Sequence, residues 1–253
     1  MGFTKTNLPM ASVGMGGPVE GLWTPTVDQK HRIGERYEDA QGRVWRYISN
    51  NTTELAAGLM TAAETIDAEA LNETQTGYTT SIGDTSIRAL LSTGNALSNG
   101  ELQDGWLSVV SSTGLGYVYA IANNTWITSD TVMHIELYDP IRVATSATSV
   151  FTFCKNPWRD VVVNPTTSVT KAAGVSTCVI PASYYGWVQT RGPCGMLRDT
   201  SETLVLGCYG GMAATCNVAG AVGLPAEATL QLWGKVLSIA ADAQTAIIDL
   251  CLE

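Results

Sequence analysis

Residues 174–195 read GVSTCVIPASYYGWVQTRGPCG. The stretch predicts a strand, a turn at Pro181-Ala182-Ser183, and a second strand over Tyr184–Thr190. Aromatic and β-branched residues crowd the second strand, as they do on pleated surfaces. Gly192-Pro193 is a turn signal and predicts its end. Gly186 lies beside Trp187, where a missing side chain lets another group approach. Tyr185, Gly186, Trp187, Gln189, Gly192 and Pro193 are thus expected to build the core hairpin of a β-barrel. None of them is a candidate for catalysis.

Strand signals recur on both sides. Val44–Ile48 alternates, with Val44, Arg46 and Ile48 on one face and Trp45 and Tyr47 on the other. A bend and a further strand are expected around Gly58. Further strands are expected over 86–92, 105–110, 116–121, 132–137, 150–153, 160–163, 205–208 and 230–237. Gly210-Gly211 reads as a turn. Residues 245–252, TAIIDLCL, alternate poorly and read as buried on both faces. Strands separated by turn signals every 8–15 residues predict an all-β barrel or sandwich with little helix. The expected domains are an extended arm over 1–30, a barrel core from 31–75 and 166–253, and a β-sandwich portion over 76–165, inserted or contiguous. The arm is rich in Gly and Pro, and Leu22 with Trp23 is its only large anchor.

Two segments carry a resemblance. Tyr184–Pro193, YYGWVQTRGP, follows a GV-x4-IPA lead from Gly174 to Ala182. Asp39-x2-Gly42-x3-Arg46-Tyr47-Ile48, with Leu55-x2-Gly58 after it, is the second. Together they resemble segments of the capsid decoration (cement, head-stabilising) proteins of tailed bacteriophages. Arg191 stands where an aromatic is expected and Cys194 where a small apolar residue is usual, so no subfamily is implied. The resemblance implies a virion structural protein on the capsid exterior, made in the host cytoplasm. Its partners would be the major capsid protein and copies of itself, with a homotrimer favoured. It implies no enzyme activity and no cofactor. A head-fibre or tail-associated base protein binding a host surface or glycan is the alternative, and a virion-associated glycan hydrolase a remote one.

The remaining chemistry narrows the classes. The formal net charge is −9 and no Lys/Arg run exists, so no basic stripe is available to displace counterions from nucleic acid. No apolar run reaches the roughly 20 residues of a membrane-spanning helix. The two histidines, His31 and His134, lie in no triad pattern; His134 is expected on a strand face beside Glu136, and His31 in a solvated turn. Gly14-x-Gly16-Gly17 lacks the strand and helix that would make it a phosphate cradle. Glu35, Glu38, Asp39, Glu136 and Asp139 are the carboxylates available for glycoside cleavage. The six cysteines have no metal-site spacing. At least four are expected to be free and shielded. Seven tryptophans stand against three phenylalanines. Most are expected in the core. Trp23, Trp126 and Trp158, with Leu22, are the interface candidates, the last two tryptophans in Asn- and Pro-flanked loops.

Overall fold

A computed structural model describes residues 21–64, 71–75, 77–91, 97–128, 132–166, 170–201, 203–213, 216–225 and 231–253. The chain is all-β, with no helix among the described residues. Its strands are β1 (Arg36–Glu38), β2 (Val44–Ser49), β3 (Met60–Ala62), β4 (Glu73–Thr74) and β5 (Ser86–Leu90). There follow β6 (Trp106–Ser111), β7 (Val118–Thr128), β8 (Val132–Leu137), β9 (Val150–Cys154) and β10 (Val162–Val163). The last are β11 (Ala172–Ser176), β12 (Tyr185–Leu197), β13 (Tyr209–Gly211), β14 (Leu232–Val236) and β15 (Thr245–Cys251).

Two compact units form. The first joins Met1–Glu64 with Pro157–Glu253, and the second is Thr65–Asn156. The expected boundaries after residues 75 and 165 therefore fall about ten residues too late, because β4 belongs to the inserted unit and β10 to its host. The expected arm lies mostly outside the described residues. Its last part, 21–30, is packed rather than extended: Thr26 bridges Tyr185, and Lys30 N donates to the Tyr47 hydroxyl at 2.9 Å.

In the second unit the strands close a barrel in the order β4-β5-β8-β7-β6-β9. This replaces the expected sandwich. Every pairing is antiparallel. Alternate residues such as Ile87, Leu107, Tyr119, Ile135 and Phe151 fill the interior. β7 runs on through Asn123-Asn124-Thr125-Trp126, which the sequence suggests as a loop. The Asn124 side chain explains the difference. It is buried, accepts from Leu102 N at 2.8 Å and donates to Ser98 O at 2.9 Å, so a turn-forming residue is consumed in holding a strand.

The first unit is organised on β12. Along one edge it pairs with β2, Trp187 opposite Tyr47 and Gln189 opposite Trp45. Along the other it pairs first with β11 and then, from Arg191 to Leu197, with β15. Gly192-Pro193 does not end the strand. The register shifts between Gln189 and Arg191, and Gly192 takes φ +84, which a side chain would strain. Thr190 O accepts from Leu252 N on the β15 side, and Leu197 N donates to Gly58 on the opposite side. With a period of two, residue 193 directs its backbone away from β15, where β2 has already ended, so proline breaks no ladder bond. The buried Gln189 side chain braces this shift. Its Nε2 lies 2.9, 3.2 and 3.0 Å from the carbonyl oxygens of Arg191, Gly192 and Pro193.

Around β2 and β12 both faces of the sheet are covered, and the alternation in β2 sorts two clusters. Trp45 and Tyr47 join Trp187, Tyr37, Ile33 and Leu22 on one face, while Ile48 packs with Val188, Ile180 and Leu55 on the other. At Gly186 an added Cβ would sit 2.9 Å from Ile180 Cδ1, so the glycine admits that isoleucine. Beyond β12 the sheet continues as β15-β14-β13. Two expectations fail here. Residues 205–208 form a turn, and Gly210-Gly211 are strand residues of β13. At Gly211 a Cβ would meet Gln231 O at 2.1 Å, so close approach of a neighbouring backbone, not a turn, requires glycine. β15 is not buried on both faces: Ala246, Ile248 and Leu250 point inward, while Thr245, Ile247, Asp249 and Cys251 are exposed.

Candidate assembly surface

The four interface candidates divide between the two units, Trp126 in the second and the others in the first. Leu22 is buried in its own unit's aromatic cluster, which corrects its assignment as a docking anchor. Trp23 beside it is exposed. Trp126 lies in β7 of the barrel, packs against the barrel core and donates from Nε1 to Leu97 O at 2.8 Å. Trp158 is in the other unit. Its ring is held between Arg46 Cζ and Lys171 Nζ, each 4.7 Å from the ring centre, and its Nε1 donates to Ala173 O at 3.0 Å. Both rings already serve their own units.

Of the carboxylates available for glycoside cleavage, Glu35, Glu38 and Asp39 are individually engaged. His31 Nδ1 contacts Glu35 Oε1 at 3.2 Å, and this hydrogen bond holds the Glu35 carboxyl below its usual range. His31 is not a solvated turn residue: its ring packs edge-on to Tyr47 and Trp187, 5.0 and 5.1 Å between ring centres. Arg36 binds Glu38 at 2.6 Å. Arg43 binds Asp39 at 2.8 Å. Burial raises Asp39, but the hydrogen bonds from Arg43 and Gln41 outweigh it and leave the group lowered. Each of these three carboxylates thus engages its own neighbour. His134 and Glu136 share the outward face of β8, as expected, with Glu136 exposed. Among the described residues no group of three His, Cys, Asp or Glu could hold a metal ion.

None of the six cysteines is in a disulfide. The expected shielding of at least four is corrected: Cys154, Cys208 and Cys251 are exposed, Cys178 and Cys216 half-buried, and only Cys194 is buried. Cys154 and Cys251 fall on outward positions of strands, where alternation rather than residue type decides. Burial pushes the Cys194 thiol up to about 12, and burial together with Asp199 pushes Cys216 up to about 11. Both therefore remain protonated and unreactive near neutral pH. Labelling of the native protein with a maleimide, read by peptide mass mapping, should modify Cys154, Cys208 and Cys251 first and Cys194 only on unfolding. Early modification of Cys194 would contradict the packing around β12.

What the structure does gather is an outward apolar surface on β13–β15. Val205, Leu206, Tyr209, Leu232, Leu237, Ile239 and Ile247 are each 44–59% exposed. Their inward neighbours Trp233, Val236, Ile248 and Leu250 form a core cluster, so the outward residues are not needed to close it. The surface is ordered in rows. Leu237 N donates to Ile247 O, which sets Leu237 beside Ile247. Lys235 stands opposite both Tyr209 and Asp249 in the next row, with its Nζ 5.7 Å from the Tyr209 ring centre. No sequence signal distinguishes this face from a buried one, since apolar residues occupy both sides of each strand. On the barrel, a smaller set is exposed on β6 and β7. Trp106 stands opposite Ala120, and Tyr138 N donates to Ala120 O, so two exposed rings flank one small residue. The chain matches no protein-family model, no curated protein and no solved structure.

Proposed function

We propose that the chain is a structural virion protein that binds the outside of a tailed-phage capsid and stabilises the shell. One observation carries the reading. The two resembling segments, around Tyr47 and around Trp187, are more than a hundred residues apart, yet they form adjacent strands over one aromatic cluster. The two segments that carry the resemblance thus form one continuous piece of architecture. The exposed β13–β15 face adds a surface suited to assembly, since apolar patches of several hundred Å² mark interaction sites. The partner is the major capsid protein. No cofactor and no catalytic step are needed: stabilisation follows if the chain binds the expanded lattice better than the unexpanded one.

The purified chain should be mixed with undecorated shells of the phage that encodes it, before and after expansion. Co-sedimentation is expected with expanded shells at a fixed ratio, at least about tenfold tighter than with unexpanded shells. Absence of binding to either shell overturns the reading. The exposed rings of Trp106 and Tyr138, on either side of Ala120, favour the second reading, a fibre- or tail-base protein that binds a host glycan, because aromatic faces are large apolar surfaces. Density for the chain at the tail rather than over the shell, in images of the particle, would decide for it.

A further inference from the structure

We propose that the outward face of β13–β15 packs against the same face of a second copy about a two-fold axis. The inference rests on reading this face as an assembly surface, but not on the identity of the shell.

Three observations carry it. The first is concentration. Among the described residues, seven of the ten large hydrophobic side chains that the first unit exposes lie between residues 205 and 247, around three neighbouring strands; the other three are Trp23, Val27 and Val179. The second is area. About half of each of seven side chains, at roughly 150–200 Å² apiece, exposes on the order of 500–700 Å², close to the ~800 Å² per partner of a stable interface. The third is self-complementarity. In an isologous contact, residue i meets j and residue j meets i. Lys235 and Asp249 are direct cross-strand neighbours on β14 and β15. Leu237 and Ile247 are neighbours across the same two strands, one row along. An axis parallel to the strands, between β14 and β15, therefore does two things at once. It lays Lys235 over Asp249 of the second copy, twice, and lays Leu237 over Ile247, twice. The cation and the anion that interrupt the apolar face are placed where each meets its opposite. Any cross-strand pair superposes in this way about such an axis; here the pair is of opposite charge, so the overlay attracts rather than repels. Small Gly195, opposite Ile247 on β12, leaves the flank of the face low enough for approach.

The test is a charge exchange read by sedimentation velocity, with no shells present. The wild-type chain should form dimers that dissociate on dilution. Lys235→Glu alone sets two acids against each other across the axis, and Asp249→Lys alone sets two amines. Each variant should keep the wild-type circular dichroism, because both positions are exposed, while its dimer weakens by about 100-fold or more. An equimolar mixture of the two variants should dimerise again, since every cross-axis pair is then of opposite sign. That rescue cannot come from the pairing inside one chain, where each variant still holds two like charges. Wild type that stays monomeric at high concentration overturns the proposal and assigns the face to another protein. A three-fold mass, single variants that dimerise like wild type, or a mixture without rescue also overturns it. Bare shells in the co-sedimentation experiment would instead overturn the shell reading and leave the two-fold pair standing.

Discussion

Trp187→Ala is expected to remove about 3–5 kcal/mol from the stability of the first unit. The ring is 1% exposed. It packs edge-on against His31 and Tyr47, each 5.1 Å away between ring centres, and against Tyr37 at 6.3 Å. Its indole N–H has no hydrogen-bond partner. Truncation thus strands no polar group of the protein, and the whole loss is transfer and cavity. The cavity cannot collapse easily, because its walls lie on β2 and β12 and on the 31–37 segment, each fixed by main-chain bonds. Urea unfolding followed by far-ultraviolet circular dichroism measures the effect. Trp187→Phe should lose less than half as much. A loss below about 1 kcal/mol for the alanine variant would mean that the aromatic cluster does not organise this unit.

Asp199→Ala should cost at least about 3 kcal/mol at neutral pH. The side chain is fully buried. Oδ1 accepts from Ser201 N at 2.8 Å, and Oδ2 accepts from Asn217 N at 2.9 Å and Val218 N at 2.8 Å. One carboxylate therefore holds two loops together, and its removal leaves three backbone donors without an acceptor. Burial raises the Asp199 pKa, but hydrogen bonds from Ser201, Val218 and Asn217 outweigh it, and the group ends below its usual value. The sign follows. A carboxyl whose folded pKa lies below its unfolded one contributes fully above the unfolded value, roughly 4, and loses that contribution as pH falls through the folded value. The stability difference between wild type and Asp199→Ala should therefore be level from pH 7 to about 5 and shrink in stronger acid. Glu35, Asp39 and Glu253, which are also lowered, titrate in both proteins and cancel from the difference. A gap that widens with acid would contradict the assignment.

Much of the fold is legible because alternation and turn residues agree. Val132–Leu137 is a strand to the residue, bounded by Asp139-Pro140, and Trp45 and Tyr47 face the cluster opposite to Ile48. The failures share a cause. Turn-forming residues signal a turn in the sequence even where a tertiary neighbour consumes them. Gly192-Pro193 serves a register shift braced by Gln189, Gly211 serves a close backbone approach, and Asn124 serves two main-chain bonds. The assembly surface was illegible for a different reason. Ile247 and Ile248 are adjacent and chemically identical, yet one is exposed and the other buried. Composition cannot say whether an outward apolar side chain is covered by its own chain, by another copy or by nothing. Trp126 and Trp158 misled in the opposite direction, since an indole in a polar stretch can be spent on its own fold.

The way the barrel is spliced into its host has a thermodynamic consequence. Thr61 of β3 pairs with Val163 of β10, so the host closes a ring of about a hundred residues through one short ladder. Closure entropy grows only as the logarithm of ring length, so this ring costs about 2 kcal/mol more to close than one of ten residues. The barrel reduces even that difference. Its first strand, β4, pairs with its last, β9, Thr74 opposite Val150. Once the barrel has folded, the ends it returns to the host are already neighbours, and the effective ring is that of a short connector. The host sheet is therefore nearly indifferent to the size of what it carries between residues 64 and 157, a position where a different module with adjoining ends could be substituted without redesigning the sheet.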